Sequence, residues 1–246
     1  METDRSAATE SNRERIIDAA TRLLADGGRE AVSTRAVSAA AGVQAPTIYR
    51  LFGDKQGLLD AVAEHGFASH LGAKAVLEPS DDPVEDLRTG WDLNMTFGLA
   101  HPALYTLMYA EPRPGALPPA ALAALEILGA HIRRIAEAGR LRIDEARAVQ
   151  LVHAVGGGTT LALIAAPEDD RDVTVSRLAR EAVIAAITTD APATEVPGPA
   201  GAALALRALL PQTGVLTAGE RGLLAELLDR IADDTQGVHG PASGHP

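Results

Sequence analysis

The chain has 246 residues, 46% of them apolar, with no cysteine and a formal net charge of −11. The missing cysteines exclude disulfides, thiolate metal sites and cysteine nucleophiles, and the length supplies a core for one large domain or two modest ones. No uninterrupted apolar run of about 18 residues and no basic-then-apolar leader is present, so the sequence predicts a cytoplasmic chain without a membrane span.

The charge is unevenly placed. Residues 1–57 carry eight basic and eight acidic side chains, and everything after them carries the whole negative excess. A neutral head on an acidic body leaves contact with any polyanion to the head.

In chain order, residues 1–10 are polar and are expected to form a disordered tail. Ser11 to Glu14 has the form of a capping box, followed by Ile16, Ala20, Leu23 and Leu24 at helical spacing, and Asp26, Gly27 and Gly28 stop that helix. Residues 33–55 then read as two short helices around a glycine turn. Ser33 is placed to cap the first, whose apolar face is Val37, Ala40 and Ala41. Gly42 supplies the left-handed conformation of a tight interhelical turn, and Pro46 falls in the first turn of the second helix, where its missing N–H costs nothing. The second helix turns Gln44, Thr47 and Arg50 outward and Val43, Ile48 and Phe52 inward. That is the pattern of a helix-turn-helix, and a small helix with such a polar face fits a DNA major groove.

Gly53 and Asp54 open a longer helix through Leu58, Leu59, Val62 and Phe67 to about residue 76. A loop at 79–83 leads into a helix carrying Leu87, Trp91, Met95 and Leu99, and His101 and Pro102 restart a short one with Leu104, Tyr105, Met108 and Tyr109. A proline-rich loop at 112–119 precedes helices over about 119–138, 144–165 and 174–188. A linker rich in Ala, Pro and Gly follows at 190–200, and then helical segments near 201–210 and 218–232, the last with a capping box from Thr217 to Glu220. Strand signals are absent. The expected fold is all-α: a helix-turn-helix head over 11–57, a helical body over 58–190, and a linker with extra C-terminal helices over 191–246.

With the head in place, the sequence resembles the TetR family of bacterial transcriptional regulators over about residues 12–65. The resemblance is carried by the helix from Arg13 to Ala25, by Ala41, Gly42 and Val43, by the run Pro46, Thr47, Ile48, Tyr49, and by Phe52, Lys55, Leu58 and Leu59. It implies a homodimer that sets two recognition helices into a palindromic operator, with the helices near 144–165 and 174–188 forming the dimer contact. It also implies a small effector, bound in the body, that releases a repressor from DNA; no cofactor is implied. Tyr49 and Lys55 match phosphate-contacting positions, and Ser33 and Thr34 match a helix start where hydroxyls and free N–H groups meet a phosphate. Gln44, Ala45, Pro46, Thr47 and Arg50 would face the bases, with Arg35 at a position that reaches a base in some members. Ala45 stands where the founding repressors carry glutamine, and Leu51 where an aromatic or histidine is usual, so the operator cannot be copied from a relative.

In the body, Trp91, Asn94, Met95, His101, Tyr105, Met108 and Tyr109, together with His131 and His153, are candidate lining for an apolar or aromatic effector; each taken singly also reads as an ordinary core residue. Trp91, Met95 and His101 are spaced to line one cavity. His101, His131 and His153 lie on three separate predicted helices without metal-ligand spacing, so no metal site is expected. Gly156, Gly157 and Gly158 inside a helix call for an offsetting reason, either close approach of a partner helix or local unwinding beside a ligand. No catalytic constellation stands out. The competing reading is a helical adaptor or small-molecule binding protein that has lost DNA binding.

Overall fold

A computed structural model describes residues 2–73, 79–110, 117–189 and 199–234. Among these, eleven α-helices run from α1 (Glu2–Ala31) through α2 (Thr34–Ala41), α3 (Ala45–Phe52), α4 (Lys55–Ala73), α5 (Pro83–Ala100), α6 (Pro102–Tyr109), α7 (Pro119–Glu137), α8 (Glu145–Ala165), α9 (Thr174–Ile187) and α10 (Pro199–Leu209) to α11 (Ala218–Asp234). The described residues contain no strand, only an isolated bridge between Leu141 and Thr188. The expected loop at 112–116 and linker at 190–198 lie outside the described residues.

Local chemistry sets most boundaries. The Thr217 hydroxyl accepts from the Glu220 N–H at 3.3 Å while the Glu220 carboxylate accepts from the Thr217 N–H at 2.9 Å, which is the capping box at the start of α11. The Ser11 box does not operate: α1 begins at Glu2 and runs straight through it, so the expected disordered tail is helical. Extending an existing helix costs far less than starting one, and a polar segment without a breaker simply continues it. The helix does break where glycines were expected to stop it, with non-helical backbone at Gly27 and Gly28.

The chain gathers into two units that the expected boundaries do not follow. One comprises 1–78, 93–124 and 160–171; the other comprises 79–92, 125–159 and 172–246. The first core joins Ile16, Ile17, Ala20, Val37, Ile48, Leu59 and Val62 to Phe97, Leu104, Tyr105 and Met108, so the head shares its core with α4 and α6. The second is built on Leu87, Trp91, Ile132, Ile135, Val152, Val183 and Ile187, and Ala208 of α10 belongs to it. The long helices α5, α7 and α8 each supply residues to both units. A cut at 57/58 therefore follows the motif rather than the packing.

Candidate nucleic-acid interface

The head is assembled from its caps. The Ser33 Oγ accepts the Ala36 N–H at 3.1 Å and starts α2. At the other end Gly42 takes φ 64°, ψ 38°, a left-handed cap whose conformation would strain any other common residue. Gln44 precedes α3 without a side-chain cap, and Pro46 lies in the first turn, as expected. After Phe52, Gly53 turns the chain at φ 78° with its N–H on the Tyr49 carbonyl at 2.9 Å, and the Asp54 carboxylate accepts the Gly57 N–H at 2.8 Å to start α4. Lys55 is thus fixed at the first turn of α4, next in the chain to the end of α3.

Two arginines of α1 lock this arrangement. Arg15 donates from Nη2 to the Ala41 carbonyl at 2.8 Å, satisfying one of the last acceptors of α2. The Arg13 guanidinium lies over the Phe52 ring, 5.8 Å from its centroid. Arg29 and Asp60 are tied through Gln56, with bonds of 2.9 Å on either side. Arg15 was not singled out from sequence. Its partner is 26 residues away, and no local pattern announces such a bond.

Inside the head, Val37 and Ile48 are buried as the pattern predicts, and Ala41 is buried with them. Ala40 is exposed, a correction: α2 is only two turns long, so its core stripe is narrower than the i, i+3, i+4 spacing of Val37, Ala40 and Ala41 implies. Val43 and Phe52 are half-buried. On the outer side Ser33, Arg35, Gln44, Pro46 and Arg50 are exposed, Thr34, Ala45, Thr47 and Lys55 are half-buried, and Tyr49 is 53% exposed. A phenol that open to water is not packed in the head, and its hydroxyl is available to an outside acceptor.

The candidate effector residues fall into separate groups. In the first unit, Asn94 donates to the Tyr105 hydroxyl at 3.1 Å, Tyr105 also bonds Thr160, and the Tyr105 and Tyr109 rings stand 4.5 Å apart. Met95, Tyr105 and Met108 are buried. Burial pushes the Tyr105 phenol up, with Thr160 and Asn94 pulling partly back, and burial followed by the Tyr105 neighbour pushes Tyr109 further still, so both stay neutral. Gly98 is required here because a Cβ would overlap Thr160 and crowd the Tyr105 ring.

His101 is exposed rather than buried with Trp91 and Met95. Helix α5 ends at Ala100, and His101 begins the next helix instead of continuing the stripe. Trp91 belongs to the second core, where its indole Nε1 donates to the Ser176 Oγ at 2.9 Å and its ring lies against Gly156. His131 and His153 are half-buried in the same unit. Burial lowers both, while at His131 Asp86 pulls up and Arg134 pulls down. Among the described residues no three histidine or carboxylate groups converge as a metal site requires.

Helix α8 is continuous through its glycines, with no local unwinding at Gly156, Gly157 or Gly158. Gly156 makes room for Trp91, whereas a Cβ at Gly157 or Gly158 would meet nothing within 4 Å. Leu151, Ala154, Gly158, Ala162 and Ala165 form one exposed stripe, and α9 exposes Val175 and Leu178, the latter at 67%. By length and composition α8 would pass as a membrane span, with only 28% of its most apolar window buried. The expectation that no segment qualifies is corrected: alanine, valine, leucine and isoleucine keep the mean hydropathy high across the uncharged glycines and threonines without forming a continuous run of large apolar residues.

Comparison with known proteins agrees with this geometry. Residues 16–62 match the profile described as bacterial regulatory proteins, tetR family. A 59-residue segment is 41% identical to tetracycline repressor protein class D of Escherichia coli, covering 24% of this chain and 27% of that protein, and equally to the class H protein of Photobacterium damsela subsp. piscicida. The match thus spans about a quarter of the length of these curated relatives. A tetR-family transcription regulator from Shewanella sp. PV-4 superposes with a TM-score of 0.58 at 19% identity, over 72% of this chain and 98% of that one. A TetR variant from Acinetobacter baumannii AYE in complex with minocycline gives 0.55 at 23% identity, over 70% of this chain and 93% of that one. At such identities the structures establish the fold, and the head supplies the sequence match. The head of this chain is therefore similar in sequence to the tetR family of bacterial regulatory proteins, and the chain as a whole shares the all-helical fold of TetR-family structures.

Proposed function

We propose that this chain is a cytoplasmic, sequence-specific DNA-binding transcriptional repressor that acts as a homodimer on a palindromic operator and is released by a small apolar or aromatic effector. The observation that carries the reading is the head: two short helices hinged at Gly42 that leave Arg35, Gln44, Tyr49 and Arg50 in solvent. Tyr49 and Lys55, with the N-terminus of α2 at Ser33 and Thr34, would grip phosphates and set register. Ala45, Pro46 and Thr47 would meet base edges, together with Gln44 and the two arginines, whose planar forks suit guanine.

A lone head covers one half-site. The exposed apolar stripes of α8 and α9 supply the natural contact with a second copy, and the open space at Gly157 and Gly158 lets two helices approach closely. Two heads one DNA turn apart, about 34 Å, then read both half-sites. The buried Tyr105 with the half-buried Asn94 and Tyr109 support a neutral effector with a hydrogen-bonding edge, and the Acinetobacter protein of this fold is in complex with minocycline.

The test is binding to a selected duplex and to its scrambled counterpart across a salt series. Tight, salt-sensitive preference for the selected duplex is expected. Equal affinity for both would overturn the reading in favour of a helical binding protein without operator recognition.

A further inference from the structure

Helices α10 and α11 form a hairpin that the operator reading leaves without a task. Between the end of α10 and the start of α11 lies an open groove of about 530 Å³. Leu210, Pro211 and Ala225 contribute apolar walls, and Gly222 leaves space, since a Cβ there would meet nothing within 4 Å. The charges in the lining are two guanidinium groups, Arg207 and Arg221, with no carboxylate among the lining residues. In a chain of net charge −11 this pairing is against the general trend.

Both arginines are held but not saturated. Arg207 Nε donates to the Asp229 carboxylate at 3.1 Å, an exposed ion pair made through Nε. Arg221 Nη2 donates to the Leu216 carbonyl at 3.1 Å, while its Nε is buried with no hydrogen-bond partner. A buried guanidinium N–H without an acceptor is costly, so Arg221 gains from any rearrangement that brings its guanidinium onto an acceptor held in the groove. The first turn of α11 faces the same space through Ala218 and adds a favourable end of the helix dipole.

We propose that this groove is a second ligand site, distinct from the operator head and the α5–α6 region, that takes an organic carboxylate with a short apolar tail. The carboxylate would accept from Arg221 and Arg207, whose planar forks match its two oxygens, and the tail would lie on Leu210, Pro211 and Ala225. The site does not rest on DNA binding and is tested without DNA.

The experiment is calorimetric titration of the full chain with octanoate, 1-octanol and inorganic phosphate. Saturable octanoate binding at one site per chain is expected, with 1-octanol and phosphate both at least about tenfold weaker. Arg221→Met keeps the aliphatic stem and should weaken octanoate by about tenfold or more. Gly222→Leu fills the groove, improves helix propensity and should abolish binding while the circular-dichroism melt stays intact. Octanoate that fails to bind, that binds both variants as it binds the parent chain, or that is matched by 1-octanol or by phosphate would overturn the proposal.

Discussion

Helices α3 and α8 both leave a face in solvent, and the two faces are chemical opposites. On α3 and its cap the exposed groups are the polar or cationic tips of Gln44, Tyr49 and Arg50, beside Pro46, around a two-turn helix whose inner side is anchored by Ile48. On α8 they are Leu151, Ala154, Gly158, Ala162 and Ala165, a smooth stripe along about four turns. The first surface suits a hydrated polyanion, whose phosphates exchange water for N–H and O–H donors. The second suits another helix, because small side chains let backbones approach and bury apolar area. On the proposed function, such a chain divides recognition between DNA and a second copy of itself, and operator binding needs the two together.

The largest expected effect comes from breaking the apolar face alone. Gly158→Arg places a charge in open space on one chain, so the protomer should keep its thermal midpoint, while sedimentation velocity shows monomer and operator affinity falls by about 100-fold or more as two linked half-site contacts become one. A dimer that survives this change would remove α8 from the interface. Next in size is Ser176→Ala, which strands the buried Trp91 indole N–H and should cost about 1–3 kcal/mol of unfolding free energy in urea. DNA affinity at native conditions should be unaffected, which separates body stability from head recognition.

On the polar face, Lys55→Ala should weaken every duplex alike, by roughly 1 kcal/mol, and reduce the slope of log affinity against log salt by about 1. Tyr49→Phe should show the same uniform loss without the change of slope. Undiminished affinity in either would take that residue off the DNA. The smallest effect is on pH. His131 and His153 are held below the ordinary histidine value of 6.5, chiefly by burial, so the fold favours their neutral forms. Their contribution is complete above about pH 6.5 and is lost as pH falls below it towards their lowered folded values. The thermal midpoint should therefore decline between about pH 7 and 5, and the double variant His131→Asn, His153→Asn should flatten that decline. An unchanged slope would assign the acid sensitivity to other groups.

Features encoded within a few residues were legible from sequence. The Ser33 cap, the left-handed Gly42, Pro46 in the first turn and the Thr217–Glu220 box all stand in the structure as the local pattern required. The helices ending near 137, 165 and 187 fall within a residue or two of their predicted limits. What failed was what depends on distant partners. Ser11 has a capping pattern, yet the preceding residues are already helical, so there is no end to cap. Trp91 was read with Met95 and His101 as one lining, but its hydrogen bond to Ser176 crosses 85 positions and His101 lies past the end of α5. The Arg15 bond to Ala41 was invisible for the same reason. Residues that meet through the fold cannot be paired by spacing along the chain.

The most direct test of the central claim is a random-library DNA selection with the purified full chain, run at two salt concentrations. Enrichment of a palindromic sequence at low salt, reduced at high salt, is the predicted result and would deliver the operator together with evidence of two symmetric heads. No enrichment at low salt would contradict it, leaving a helical chain whose exposed Tyr49 and Arg50 serve some purpose other than reading DNA.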